Sequence, residues 1–577
     1  MAQFLIVLLS VLLLLLPAAA QDEQAGEFIP ERCPMPIPGA AVVDCGYLIV
    51  PERHENPEGP TIELAVAILR ASDPNPRPDP VLYLEGGPGG SALWGLDGWI
   101  DYQITRERDL ILLDQRGTGY SWPGLFCDAY EYEYDTTEAD FTIFETDCAE
   151  YLRADGIDLG AYNSAQSAQD VAMLVRALGY DQVNLYGISY GTRLAMTIMR
   201  DVPEIARAVV LDSPYPPQID GYESQAINGF NAIDALLTAC ADDPSCNAAF
   251  PDLGARFYAW VESGETAGMD LGDGPEDLGG YDVVSYLFDV LYDSAAIPTV
   301  PLALDQLIGG DGYLFGDLVS GAYSDIPAEQ DRYDAFYELA DDLAMESEGL
   351  DDYDEFLDLF NALDDEGLVE MYAAALETAD DADYSEMVRL HLGLASTSEA
   401  EAYLDALDNA AFNRIFDNIV SSVALGWVDV SDADGVFNSV TCVEELPFND
   451  LQATELSTLR LPDTLRESLM SGVYEQIDSC EIWDVEVAGA IENEVVRSDI
   501  PTLVLGGQFD PITPPNFAEA AMEGLTSGQM VIVPGAGHSV IDAGECPASL
   551  GVAFLNEPSA PVDTSCVSAI KVNWATE

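Results

Sequence analysis

Basic residues are scarce in this chain of 577 residues, which has 20 lysines and arginines against 104 aspartates and glutamates. The formal net charge is −84, and Lys571 is the only lysine. Nucleic acids and anionic membrane surfaces are negatively charged, so we expect neither to be a partner. The acids are spread along the whole chain, which indicates a solvated surface. This pattern predicts tolerance of high salt, with a generally acidic proteome as the alternative explanation.

Metal ligands of the cysteine and histidine type are also scarce. The chain has only three histidines and no Cys-x-x-Cys motif, so zinc-binding patterns are absent. The segment Asp432-Ala433-Asp434-Gly435 resembles part of a calcium-binding loop. However, Val430 and Thr441 would occupy its first and last ligand positions, so the match fails. We therefore expect no metal and no organic cofactor.

Only one long apolar run is present, near the N-terminus. Phe4 to Leu16 is shorter than the ~20 residues that span a bilayer, and small residues follow it up to Ala20. We interpret residues 1–20 as a signal peptide and expect a secreted or periplasmic protein. The start carries no lysine or arginine, which leaves an uncleaved anchor as the alternative. No stable membrane span is expected after cleavage.

The ten cysteines fit export, because an even number in an exported chain suggests disulfides. Pairing of nearest neighbours is our hypothesis. It joins Cys33 to Cys45, Cys127 to Cys148, Cys240 to Cys246, Cys442 to Cys480, and Cys546 to Cys566.

The pattern of strands and helices changes twice along the chain. Up to residue 217, short apolar strands alternate with helices, which predicts a parallel sheet preceded by an antiparallel edge hairpin, Cys45–Val50 with Ile62–Arg70. Residues 218–498 are mostly helical, and Tyr353–Ala375 is a clear amphipathic example. Strand signals return in residues 499–577. The middle block therefore looks like an insertion into a sheet domain.

Gly187-Ile188-Ser189-Tyr190-Gly191 lies between a predicted strand and a predicted helix. This Gly-x-Ser-x-Gly arrangement is typical of a nucleophile elbow, in which a tight turn exposes the serine hydroxyl. The elbow predicts Ser189 as the nucleophile. It also predicts the Tyr190 N–H, at a helix N-terminus, as one donor of an oxyanion hole.

Two further residues complete a triad in the order Ser, Asp, His. His538 is the only histidine after the last predicted strands, since His54 precedes the serine and His391 lies in the helical insert. Asp510 follows the strand before it, in a loop stiffened by prolines, and is the predicted acid. A surface histidine and a helix N-cap are the alternative interpretations.

The second oxyanion donor is expected in the loop after the strand Val81–Leu84. This loop reads Glu85-Gly86-Gly87-Pro88-Gly89-Gly90, and its glycines allow the backbone to approach a substrate. We predict Gly87 as the donor, with Gly86 as the alternative. The fold class that follows is an α/β-hydrolase with a large, mainly helical cap, residues 218–498, inserted between core segments 21–217 and 499–577.

Together these motifs resemble the prolyl-aminopeptidase family of serine peptidases, and most closely its secreted tripeptidyl-aminopeptidase-like branch. The resemblance covers about residues 40–217 and 440–566, including Thr441-Cys442-Val443-Glu444-Glu445. Glu85 stands where proline-specific members have histidine, which favours the tripeptidyl branch.

The resemblance implies a serine exopeptidase that releases residues or short peptides from a free N-terminus. A cationic amine needs an acidic anchor, and Glu444 and Glu445 are our candidates. An esterase or acylase on the same scaffold is the alternative, and a binding protein without catalysis is a second.

Overall fold

The computed structural model describes residues 25–35, 37, 41–100, 102–127, 138–262, 266, 269–271, 278–320, 327–350, 353–360, 363, 365–379, 381–392, 396–406, 416, 419–420, 423, 430–459, 461 and 463–576. The predicted signal peptide lies outside these residues. Within the described part of the chain, no helix has both the length and the apolar character needed to cross a membrane.

One mixed sheet forms the centre of the molecule, with strand order β1-β2-β3-β5-β4-β6-β7-β8-β9. Strands β1, β2, β3 and β5 pair antiparallel in that order, and the remaining pairs are parallel. The strands are β1 Phe28–Glu31, β2 Val43–Pro51, β3 Thr61–Leu69, β4 Val81–Leu84, β5 Leu110–Leu113, β6 Val183–Ile188, β7 Ala206–Asp212, β8 Thr502–Gly507 and β9 Gly528–Val533.

Helices cover the sheet and fill the segment between β7 and β8. In chain order they are α1 Leu96–Trp99, α2 Gln103–Glu107, α3 Glu138–Ala154, α4 Ser164–Ala177, α5 Tyr190–Asp201, α6 Gly221–Asp242, α7 Pro244–Ala249, α8 Leu253–Val261, α9 Gly280–Val290, α10 Val300–Ile308, α11 Tyr313–Val319, α12 Pro327–Glu348, α13 Tyr353–Phe360, α14 Asp365–Thr378, α15 Asp381–Leu392, α16 Thr397–Ala406, α17 Asp434–Val440, α18 Leu451–Thr458, α19 Asp463–Trp483, α20 Pro515–Ala521 and α21 Glu545–Asn556. A π-helical turn, Thr441–Glu445, continues α17.

The central strands β4 and β5 are apolar along their whole length because both of their faces are covered. Strands β4 and β5 read Val-Leu-Tyr-Leu and Leu-Ile-Leu-Leu, and every residue in them is buried. One hydrophobic cluster lies on each face of the sheet. Two more clusters form among the helices between β7 and β8, one around α6–α11 and one around α12–α16. Parallel strands present their carboxyl ends at one edge, so the loops after β4, β6, β7 and β8 meet there.

Two local predictions need correction. The hairpin of β2 and β3 is not at the edge, because β1 pairs outside β2. Pro30 lies within β1, and a proline is tolerated on an outermost strand, so this segment resembled a loop in the sequence. The helix predicted over Tyr353–Ala375 is two helices, since α13 ends at Phe360 and α14 begins at Asp365. The intervening sequence contains one asparagine and one aspartate, which favour helix ends over helix interiors.

The cysteine pairing hypothesis is confirmed. The five disulfides join Cys33 to Cys45, Cys127 to Cys148, Cys240 to Cys246, Cys442 to Cys480, and Cys546 to Cys566. All ten cysteines are used, and none remains free.

Candidate active site

Ser189 lies in the sharp turn that joins β6 to α5. Its φ of 55° is unusual for a residue with a side chain. A Cβ atom on Gly187 would lie 2.4 Å from the carbonyl oxygen of Gly191, and one on Gly191 would lie 2.0 Å from that of Leu84. Only glycine fits at either position. The crowding explains why the motif has its two glycines and why the serine is held in this conformation.

Asp510 and His538 are brought together from two loops at the same edge of the sheet. Asp510 Oδ2 lies 2.9 Å from His538 Nδ1. The same carboxylate accepts hydrogen bonds from the backbone N–H groups of Ile512 (3.0 Å) and Thr513 (2.8 Å) and from the Thr513 hydroxyl (2.8 Å). Asp510 is 1% exposed. These bonds fix the carboxylate, which in turn orients the imidazole.

The environment of His538 favours its protonated form. Burial lowers the pKa of His538, but the carboxylates of Asp510 and Asp212 more than offset burial, and the pKa is raised above its usual value. The ring of Tyr292, from the loop after α9, lies 4.9 Å from the imidazole. A Cβ on Gly537 would lie 2.1 Å from the carbonyl oxygen of Leu291, so the helical insert packs directly on the histidine loop.

Asp212, at the end of β7, is a second buried acid beside this loop, and sequence reasoning missed it. Its carboxylate accepts from the N–H groups of Val540 (2.7 Å) and Ile541 (2.9 Å) and from the Tyr186 hydroxyl (3.0 Å). Burial raises the pKa of Asp212 to about 6, although these bonds lower it. Its position at the carboxyl end of a parallel strand was the available signal. It anchors the segment that follows His538.

The two glycines proposed as oxyanion donors differ in their hydrogen bonds. The Gly86 N–H donates to Oε1 of Glu85 at 2.7 Å, and is therefore engaged. Gly87 has a φ of +102°, in the region that favours glycine. The loop passes close to the nucleophile, because a Cβ on Gly86 would lie 3.1 Å from Ser189 Cβ. The hydrogen bond of the Gly86 N–H to Glu85 favours Gly87 over Gly86 as the oxyanion donor. Tyr190, the other predicted donor, is the first residue of α5.

Ser189 lines two cavities, which we name by their acids. The Glu445 cavity has a volume of about 100 Å³ and is lined by Ser189, Tyr190, Gly87, Pro88, Tyr215, Gly221, Tyr222, Phe437, Glu445, Ile512, Thr513 and Phe517. The Asp542 cavity has a volume of about 510 Å³ and is lined by Ser189, His538, Tyr83, Glu85, Gly86, Gly87, Gly95, Gly98, Trp99, Tyr102, Ile188, Tyr292, Ser539, Ile541 and Asp542. His538 lines only the second of these two cavities, and Glu445 only the first.

Glu444 and Glu445 lie side by side in the π-helical turn but have different surroundings. The carboxylate of Glu444 accepts from the backbone N–H and hydroxyl of Ser164, and lies 3.5 Å from the Arg193 guanidinium. Glu444 is thus fully engaged in holding the fold.

The two carboxylate oxygens of Glu445 differ in their hydrogen bonds. Its Oε2 accepts from the Tyr215 hydroxyl at 2.9 Å, whereas its buried Oε1 has no hydrogen-bond partner among the described residues. The residue is 6% exposed. Burial raises the pKa of Glu445, and Arg193 and Tyr215 partly counter this effect. An unpaired carboxylate oxygen that is buried next to a nucleophile is suited to a cationic group.

The other two histidines are not brought to this site. His54 Nε2 lies 2.7 Å from Asp170 Oδ1, and Asp170 also binds the buried Arg116. His391 lies in α15, and its ring is 5.8 Å from that of Phe336. No group of three or more potential metal ligands occurs within the described ranges.

Known families and solved structures resemble this chain. The family described as "alpha/beta hydrolase fold" matches residues 79–232, and the family described as "TAP-like protein" matches residues 469–566. Among solved structures, an alpha/beta hydrolase fold protein from Chitinophaga pinensis is 11% identical, with a TM-score of 0.35 over 90% of this chain and 99% of that one.

Curated relatives carry both peptidase and esterase names. "Serine protease Hip1" of Mycobacterium tuberculosis is 26% identical over 39% of this chain and 46% of its own length. "Tripeptidyl aminopeptidase" of Streptomyces lividans is 28% identical over 32% of this chain and 37% of its own length. "Carboxylesterase B" of Mycobacterium tuberculosis is 32% identical over 38% and 44%. Each match spans less than half of the relative. The chain is therefore an α/β-hydrolase whose C-terminal region is TAP-like.

Proposed function

We propose that this chain is an exported serine peptidase that releases a residue or a short peptide from a free N-terminus. The observation that carries the proposal is the buried, unpaired Oε1 of Glu445 in the cavity that also contains Ser189. An N-terminal ammonium at this oxygen would give it a hydrogen-bond partner and would add to the partial compensation of the charge by Arg193. The five disulfides support export, because such bonds persist in oxidising compartments.

The proposed chemistry is acyl transfer through a covalent intermediate. His538 takes the proton of the Ser189 hydroxyl, which attacks the scissile carbonyl. The N–H groups of Tyr190 and Gly87 stabilise the oxyanion. His538 then protonates the leaving amine, and water hydrolyses the acyl-enzyme. Asp510 holds the imidazole and stabilises the imidazolium throughout.

We place the two halves of the substrate in the two cavities. Because His538 delivers a proton to the leaving group, the leaving group occupies the Asp542 cavity, which His538 lines. The acyl part then occupies the Glu445 cavity. That cavity, at about 100 Å³, is well below the roughly 300 Å³ of ordinary small-molecule pockets. This small volume would suit release of one residue, whereas the resemblance implies the tripeptidyl type.

A panel of chromogenic anilides tests the proposal, in dilute buffer and in molar salt. It contains aminoacyl, dipeptidyl and tripeptidyl anilides with free amines, the same compounds with blocked amines, and short acyl esters. We expect turnover of free-amine anilides, strong loss on blocking, and no turnover by Ser189→Ala. The number of residues in the free-amine anilide that is hydrolysed fastest gives the number of residues released in one cleavage.

The second candidate is an esterase, which the carboxylesterase relative favours. Turnover of the short acyl esters without turnover of any anilide would establish it in place of the peptidase. Labelling with a fluorophosphonate probe separates both from a non-catalytic protein. An active hydrolase forms an adduct at Ser189, and the absence of an adduct in wild type would contradict catalysis.

A further inference from the structure

The Asp542 cavity has its own chemistry, which acyl transfer does not use. Apart from the catalytic pair, Ser539 and glycines, the described residues of its walls are aromatic, aliphatic and acidic. Trp99 lies at the centre of the aromatic wall, with its ring 4.6 Å from that of Tyr83 and 5.2 Å from that of Tyr102. Such ring faces attract cations. Ile188 and Ile541 supply aliphatic surface beside them.

The negative charge in this cavity exceeds the positive charge among the described residues that line it. Glu85 and Asp542 are acidic, and His538 alone of these described residues can become cationic. The Asp542 carboxylate accepts hydrogen bonds from the hydroxyls of Tyr102 and Ser539, which fix it at the opening. Burial raises the pKa of Glu85, and the charges of Asp432 and Asp542 raise it further. The acids are close enough to repel one another, so a bound cation would reduce this repulsion.

We propose that the Asp542 cavity is a leaving-group subsite that selects a cationic side chain on an aliphatic stem, such as lysine or arginine directly after the scissile bond. The stem packs on the aromatic and aliphatic wall while its charge meets Asp542 and Glu85. This inference rests on the proposed acyl transfer at Ser189, which places the leaving group on the His538 side.

The abundance of acids on the whole molecule does not explain the feature by itself. Charges on a convex surface are solvated and screened, whereas a concave site with low-dielectric walls focuses the potential. Here the concavity contains the nucleophile and the general base themselves. A cation attracted to it is therefore delivered to the reacting groups.

The test varies the leaving residue while the acyl residue is constant. Peptides with lysine, norleucine or glutamate after the scissile bond are compared by kcat/KM at low salt. We expect kcat/KM for the lysine peptide to exceed that for the norleucine peptide by about tenfold, because lysine can form one partly exposed ion pair and one cation–π contact. The glutamate peptide should have the lowest kcat/KM. Equal rates for lysine and norleucine would overturn the proposal.

Asp542→Asn identifies the group responsible. Asparagine removes the charge and keeps one acceptor oxygen for either Tyr102 or Ser539, while the other hydroxyl can accept from its NH2 group. We expect the lysine-to-norleucine ratio to fall to about threefold or less. The ratio compares two substrates on one enzyme, so partial misfolding or a changed His538 cancels from it. The matched control is Asp181→Asn, on the exposed turn before β6, which should keep the wild-type ratio. An unchanged ratio in Asp542→Asn would contradict the assignment.

Esters separate failure of this inference from failure of the peptidase proposal. If no peptide is hydrolysed, choline esters are compared with 3,3-dimethylbutyl esters, which have the same shape without the charge. Preference for choline would support the cationic subsite on an esterase. Equal turnover of the two esters would reject the subsite whichever bond the enzyme cleaves.

Discussion

The two cavities that meet at Ser189 use their carboxylates in different ways. On the acyl side, Glu445 is buried in a volume of about 100 Å³ and leaves one oxygen unpaired. On the leaving-group side, Asp542 stands exposed at the opening of a volume of about 510 Å³, with both hydroxyl partners in place.

This difference suggests two kinds of selectivity. A buried carboxylate with one unpaired oxygen penalises every substrate that leaves this oxygen without a partner, so it demands a free amine. An exposed carboxylate costs little when unoccupied, so it gives only a preference. Four changes in protein or solvent test this contrast.

The largest effect is expected for Asp510→Asn, because both cavities depend on the same histidine. Asparagine would favour the wrong imidazole tautomer, and kcat/KM should fall about 10⁴-fold for every substrate. The loss should be equal for free-amine and blocked substrates. Asp181→Asn, the matched charge removal away from the site, should retain wild-type kinetics. A loss below tenfold in Asp510→Asn, with an unchanged melting temperature, would count against the triad.

Glu445→Gln acts on the acyl side alone. The amide has no negative charge and cannot form an ion pair with an ammonium, so kcat/KM for free-amine anilides should fall about a hundredfold while the weak turnover of blocked anilides does not fall. Glu444→Gln is the neighbouring control. Its partners Ser164 and Arg193 belong to the fold, so it should lower the melting temperature and leave the ratio of free to blocked substrates unchanged. The reverse pattern in the two variants would move the anchor to Glu444.

The sequence could predict the parts of this site that depend on local geometry. Gly187 and Gly191 mark a turn that no other residue fits, so Ser189 follows from a five-residue motif. Chain order and the small number of histidines then select His538, and the strand before it indicates Asp510. These residues lie at the ends of strands whose apolar runs are visible without a structure.

Contacts between distant segments could not be predicted in the same way. Glu444 and Glu445 are adjacent in sequence, and only the packing of Ser164 and Tyr215 distinguishes them. Asp212 bonds to a loop more than 300 residues later in the chain. Tyr292 reaches His538 from the helical insert, for which the sequence predicted helices but no orientation.

Asp212→Asn should have a smaller effect, which involves His538 and not the acyl side. Asp212 raises the pKa of His538 by its charge, and the base works only when neutral. Asp212→Asn should therefore lower that pKa and move the acid limb of the kcat/KM profile to lower pH, without changing the ratio of free to blocked substrates. Thermal melts check that Val540 and Ile541 remain anchored. If the acid limb of the kcat/KM profile does not move, or if it moves to higher pH, Asp212 does not act on His538 through its charge.

Salt should have the smallest effect and should act on the two cavities differently. The Debye length falls from about 10 Å at 0.1 M to about 3 Å at 1 M, which screens exposed charges far more than buried ones. The preference for lysine over norleucine, set by exposed Asp542, should therefore decline severalfold across this range. The preference for a free amine, set by buried Glu445, should change by less than about twofold. Each preference is a ratio on one enzyme, so a change in overall stability of this highly acidic chain cancels. A parallel decline of both ratios would mean that solvent reaches Glu445 as freely as Asp542, and the distinction between a required and a preferred cation would be lost.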